Sequence, residues 1–133
     1  LLKAYSYSGC LAELHVYAPL MVRGASECPV ASPLARFQAR RSTRRQGRSL
    51  VTNLRHERVT LDAFNRHLLR YLDGRHDRAA LLERFLAGPV AEGVLKVQQD
   101  GAPVEDAGEI KTTLAEALEW NLHGLARAAL LVG

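Results

Sequence analysis

What the sequence lacks narrows it first. Two cysteines and one methionine occur in 133 residues. Cys10 and Cys28 lie far apart and outside any Cys-x-x-Cys pair. That excludes a disulfide framework and a thiolate zinc site, and fits plain thiols in the cytoplasm. His15, His56, His67, His76 and His123 never fall at His-x-x-x-His spacing, so no shared metal centre is expected. Neither GxGxxG nor GxxxxGK[ST] occurs, and the glycines are isolated. A dinucleotide or phosphate cradle is therefore not expected in this chain. No apolar run approaches the roughly 20 residues of a membrane span, and no signal-peptide pattern is visible. The opening "LLKAYSYSG" has no initiator methionine and starts in mid-pattern, as a piece of a longer protein would.

Nucleophilic and acid–base sites are equally hard to assemble. Cys10 and His15 are close in sequence, but in a strand five residues separate them by about 16 Å, on opposite faces. In "LRHER", a strand would put Arg55 and Glu57 on one side and His56 and Arg58 on the other. That reads as surface charge on an edge strand rather than a catalytic cluster.

What is present is charge of one sign in one place. The net charge is +4 and the isoelectric point about 9.4. Eight arginines lie between Arg36 and Arg58 against one acid, Glu57; elsewhere ten basic residues face thirteen acids. The basic character belongs to a segment, not to the whole surface.

Periodicity supplies the architecture. Residues 1–9 read as a helix end stopped by Gly9, and "LAELHVYA" (11–18) alternates like a strand. Residues 19–32 look like a connection. Ser32 and Pro33 suit the start of a short helix, with Leu34, Phe37 and Arg41 sharing a face. A strand is expected over 50–59. Thr60 or Asp62 would then cap a helix with the apolar stripe Leu61, Phe64, Leu68, Leu69 and Leu72. Asp73-Gly74 closes it, and Asp77 caps a second helix carrying Leu81, Leu82, Phe85 and Leu86. Gly88-Pro89 ends or kinks that helix. "GVLKVQQDGAPV" reads as a small hairpin turning at Asp100-Gly101. From Asp106 to about Leu130 apolar residues recur every three or four positions, as in one long amphipathic helix. A helix-turn-helix followed by a β-wing and a long C-terminal helix describes an α+β winged-helix fold.

Such a fold raises the question of DNA. The second helix should offer polar readers to base edges, yet "DRAALLERFLA" begins with Arg78 and continues with alanines and leucines. Asp73, Asp77 and the acidic wing "QQDGAPVED" would repel phosphates. These features disfavour nucleic acid, although a nucleic-acid-binding domain using the Arg36–Arg58 segment stands as an alternative.

"ASPLARFQA", "VTNLRHERVTLD", "LLRYLDGRHDRAALLERF" and "LARAALLV" together resemble a known family. This is the C-terminal winged-helix region of bacterial class I S-adenosylmethionine-dependent methyltransferases with a methyltransferase regulatory domain. The group includes protein-lysine methyltransferases. The resemblance implies that residues 1–30 end a preceding segment (helix, strand and connection), and that residues 31–133 form the winged-helix C-terminal domain. It implies a non-catalytic accessory module, with S-adenosylmethionine held elsewhere in the parent protein. Expected partners are the N-terminal methyltransferase domain and an acidic protein substrate, with Arg40, Arg44, Arg55 and His56 as candidate contacts. A third reading is a scaffold that self-associates through the long helix and exposed strand edges.

Overall fold

The computed structural model describes residues 16, 20–41, 49–99 and 101–133. The elements are helix α1 (Pro33–Arg41), strands β1 (Ser49–Thr52) and β2 (Arg58–Leu61), and helices α2 (Ala63–Tyr71) and α3 (Arg78–Phe85). A π-helical turn (Leu86–Val90), strands β3 (Gln98–Gln99) and β4 (Ala102–Pro103), and helix α4 (Ala107–Arg127) follow. The expected α+β winged helix is present, with α2 and α3 as the helix-turn-helix, β3–β4 as the wing and α4 as the long final helix. The expected helix over 1–9 and strand over 11–18 fall outside the described residues, apart from Val16.

Each of the last three helices begins at an aspartate that accepts orphan backbone amides. Asp62 takes the Asn65 amide at 2.7 Å and Asp77 the Ala80 amide at 2.8 Å. Asp106 takes those of Gly108 and Glu109. Their apolar stripes meet in one core: Leu68, Leu69 and Leu72 from α2, Leu81, Leu82 and Phe85 from α3, Leu114, Leu118, Leu122 and Leu125 from α4. Each such side chain gives roughly 1.5–3 kcal/mol on full burial. Phe64 and Phe85 add a tilted ring pair with centroids 4.7 Å apart. Gly88-Pro89 does not stop α3 outright; the chain widens into a π turn and then leaves.

The turn between α2 and α3 needs its glycine twice over. Gly74 has φ +80°, and a Cβ there would lie 2.9 Å from Val30 Cγ2. Asp73 organises the same turn, accepting the Arg75 amide at 3.0 Å and bonding the His76 ring Nδ1 at 2.9 Å, with Arg36 at 4.0 Å. Burial of this carboxyl works to raise its pKa. The His76 bond, the Arg75 amide and the charges of His76 and Arg36 outweigh that and hold it below the ordinary 3.8.

One expectation is corrected. The strand over 50–59 is a hairpin: β1 and β2 pair antiparallel, with Val51 opposite Val59 and Thr52 opposite Arg58. The intervening turn is built on Asn53, whose side-chain oxygen accepts the amides of Arg55 and Glu57, both at 2.9 Å. His56 there adopts φ +62°. Asn53 is an Asx-type turn former, and turn chemistry overrode β propensity. Arg55, His56 and Glu57 are thus turn residues, and strand alternation does not sort them onto faces. On α1, Ala35 and Ala39 are buried, while Leu34 and Phe37 are 50% and 56% exposed. Small side chains let α1 approach α2 and β1 closely. Gln38 fixes its rotation, accepting the Thr52 amide at 2.6 Å and reaching the Thr52 hydroxyl at 3.2 Å. Arg41 lies over the outward Phe37 ring.

The long helix ends in a Schellman arrangement. Ala129 takes φ +56°, its amide bonds Ala126 O, and the Leu130 amide bonds Leu125 O. The hairpin turn docks on this end: Asn53 Nδ2 donates to Ala128 O at 3.1 Å and the Leu54 amide to Ala129 O at 2.9 Å. The chain after it runs against Val30–Ser32, with Ser32 N to Leu130 O and Val132 N to Val30 O, both 2.8 Å.

Asn53→Ala is expected to cost about 2–3 kcal/mol in urea unfolding, because it removes hydrogen bonds from two turn amides and a helix-end carbonyl together. For Asp73, a depressed carboxylate contributes stability that is complete above its unfolded pKa and fades as pH falls through the folded one. Asp73→Asn should therefore lower the melting temperature at neutral pH and flatten the acid side of the stability curve below about pH 4.

Candidate functional site

Among the described residues, three arginines line one recess beside the end of α4. Arg23, Arg55 and Arg127 line one recess of about 470 Å³, together with Met21, Val22 and Ala126. Each arginine comes from a different element. Arg127 is in the last turn of α4, where a cation also complements the helix dipole. Arg55 is in the hairpin turn that Asn53 anchors to that helix end. Arg23 belongs to the segment held by the Val22 amide to Leu131 O. Guanidinium groups converging on one recess suit carboxylates, which they bind bidentately.

The four candidate contacts separate. Arg55 lines the recess, and His56 is exposed next to it in the left-handed turn position. Arg40 is exposed on the last turn of α1 and is not part of the recess lining. Arg44 lies outside the described residues. Arg23 and Arg127 escaped sequence reasoning. Arg127 sits about seventy residues from Arg55, and Arg23 lay in a stretch with no periodicity. Only basic character in the last turn of a long helix pointed to either.

The helix that would read DNA is committed elsewhere. Arg78, its first residue, donates to Glu119 on α4 at 2.9 Å, to Glu27 O at 2.9 Å, and to the carbonyls of Ser26 and Ala25. It clamps the 25–27 segment to the core instead of facing outward. Glu83 on the same helix pairs with Lys111. Among the described residues no group of three or more His, Cys, Asp or Glu side chains could hold a metal. No helix of the described structure is long and apolar enough to cross a membrane.

Comparison with known proteins places this geometry. A family model described as the C-terminal winged helix domain of PKMT matches residues 27–130. An uncharacterized protein of Rickettsia prowazekii (strain Madrid E) is 37% identical over 82 residues, 62% of this chain and 15% of that protein. The solved structure of PKMT2 from Rickettsia typhi matches with a TM-score of 0.82 at 19% identity, over 91% of this chain and 24% of that one. PKMT2 from Rickettsia typhi in complex with AdoHcy matches at 0.79 and 21% identity, over 86% and 22%. This chain therefore spans no more than about a quarter of the relatives it matches.

Arg78→Ala is expected to lower stability by about 1 kcal/mol, discounted for partial exposure of its ion pair. Arg23→Ala with Arg127→Ala should stay within about 0.5 kcal/mol of the parent chain, as surface changes do. Urea midpoints of the variants check both.

Proposed function

Because the chain belongs to the family of PKMT C-terminal winged helix domains, we propose that it is the non-catalytic accessory module of an S-adenosylmethionine-dependent protein-lysine methyltransferase, acting by protein–protein contact. The observation that carries this is the recess of Arg23, Arg55 and Arg127, with exposed His56 following Arg55 in the turn. It is an electrostatic platform for an acidic protein surface, either the rest of the methyltransferase or its substrate. Charge complementarity of this kind sets orientation and association rate more than raw affinity.

The methyl donor would be held by the rest of the parent protein. Gly74, Gly93 and Gly101 serve turns in this chain and do not form a cofactor cradle. The AdoHcy of the Rickettsia typhi complex belongs to a protein of which this chain covers about a fifth.

The test mixes the chain with the remaining, S-adenosylmethionine-binding part of its parent methyltransferase. A complex should form, weaken as salt rises, and lose at least about tenfold in affinity in the triple charge-reversal variant Arg23→Glu, Arg55→Glu, Arg127→Glu. Absence of any complex, or tight salt-dependent binding to a DNA duplex in its place, would overturn the reading.

A further inference from the structure

The hairpin has two edges, and among the described residues a side chain meets an outward amide on only one of them. Asn53 and Glu57 form a hydrogen-bonded pair, through the Asn53 amide and Glu57 O at 3.0 Å. Alternation along an antiparallel ladder then makes Thr52–Arg58 and Leu50–Thr60 the non-hydrogen-bonded pairs. Their backbone groups point away from the partner strand. On the β1 side the Thr52 amide meets the Gln38 side chain, which acts as a surrogate neighbouring strand. On the β2 side, the N–H and C=O groups of Arg58 and Thr60 enter no backbone hydrogen bond among the described residues.

That open edge runs along a groove of about 290 Å³, bordered by Val59, Thr60, Leu61, Trp120, Gly124 and Leu125 among others. Val59, Thr60 and Leu61 are consecutive, so their side chains alternate between faces. All three can border one groove only where it meets the strand's edge. On the far wall Trp120, the sole tryptophan, is 80% exposed. Gly124, one helical turn on, puts no side chain in the way. At the floor, Asn65 Nδ2 donates to Asn121 Oδ1 at 2.8 Å, and the buried Asn65 Oδ1 has no hydrogen-bond partner.

The charge around the groove selects the occupant. Arg58, His123 and Arg127, each next in sequence to a residue that lines it, are exposed. Of the nearby acids, Glu119 is paired with Arg78, Glu57 accepts from Asn53 and Asp62 accepts the Asn65 amide, while Glu116 is exposed one helical turn before Trp120, on the side away from the hairpin end of α4. We infer that β2 and the Trp120 groove receive an extended acidic peptide segment of a partner protein as a third strand. Its backbone would pair with Arg58 and Thr60, one apolar side chain would enter against Val59 and Leu125 beneath Trp120, and its carboxylates would face the arginines. Main-chain pairing supplies affinity in this mode, and the side-chain pocket supplies selection. The inference rests on the reading of this chain as a protein-contact module and deepens it by naming the partner's chemistry.

The probe is a short capped peptide alternating glutamate and valine. Its controls are a lysine–valine counterpart and a glutamate–valine version with the central valine N-methylated. Binding is read by anisotropy of the labelled peptide to the full 133-residue chain, and its location by amide hydrogen exchange. The acidic peptide should slow exchange at the Arg58 and Thr60 amides at least about tenfold. The N-methylated peptide, and Trp120→Ala against the parent peptide, should each bind about tenfold more weakly, a difference of about 1.4 kcal/mol. Circular dichroism of Trp120→Ala should be unchanged, because that side chain is exposed. Three results would overturn the inference: no binding of the acidic peptide, binding without protection at Arg58 and Thr60, or equal binding of the lysine peptide. None of these bears on the complex with the rest of the methyltransferase, which is measured separately.

Discussion

One buried amide side chain holds the working end of this domain together. Asn53 is 5% exposed, and its two polar atoms serve both the hairpin turn and the end of α4. The oxygen accepts the Arg55 and Glu57 amides; the nitrogen donates to the Glu57 carboxylate and to Ala128 O. A hairpin turn, an acidic side chain and a helix C-terminus are thereby fixed to one another. A buried amide is costly unless its hydrogen-bonding groups are matched. That requirement makes the turn's position relative to α4 specific. Arg55 and Arg127 line one recess because Asn53 ties the turn to the end of α4.

The helix-turn-helix spends its main polar groups within the fold. Arg78, placed where a DNA reader would stand, is spent on three backbone carbonyls and Glu119. Asp73 gathers Arg36, Arg75 and His76 around the turn. Both arrangements turn the motif's polar groups inward, toward the Pro29–Ala31 region and α4. The outward groups are gathered instead at the hairpin and the end of the long helix. The arginine recess lies at the last turn of α4 and the Trp120 groove along the same helix, one lined by charge and the other bordered by apolar side chains and the edge of β2.

The elements were legible where periodicity and capping agree. Asp62, Asp77 and Asp106 marked three helix starts, and the leucine stripes behind them marked the core. Asp73-Gly74 and Gly101 marked turns. These signals lie within one element or at its boundary, so a local reading suffices. One error arose where turn chemistry outranked a local signal. Val51, Thr52 and Val59 promised one strand, but Asn53 broke it by taking two amides. Leu34, Phe37 and Arg41 do share a face, and close packing of Ala35 and Ala39, with Gln38 bonded to Thr52, turns that face outward.

The sequence by itself determined the order of the elements, the winged-helix class and the confinement of basic charge, because these follow from periodicity, caps and composition along the chain. Only the tertiary structure decided which arginines act together. Arg23, Arg55 and Arg127 have no spacing that links them; they meet because the 21–23 segment, the Asn53 turn and the end of α4 are hydrogen-bonded into one place. It also decided which strand edge stays open. Gln38 takes the outward Thr52 amide of one edge from fourteen residues away in sequence, and among the described residues no side chain is recorded on the outward amides of Arg58 and Thr60. Closure depends on where a helix sits in space, and periodicity along the chain does not encode that.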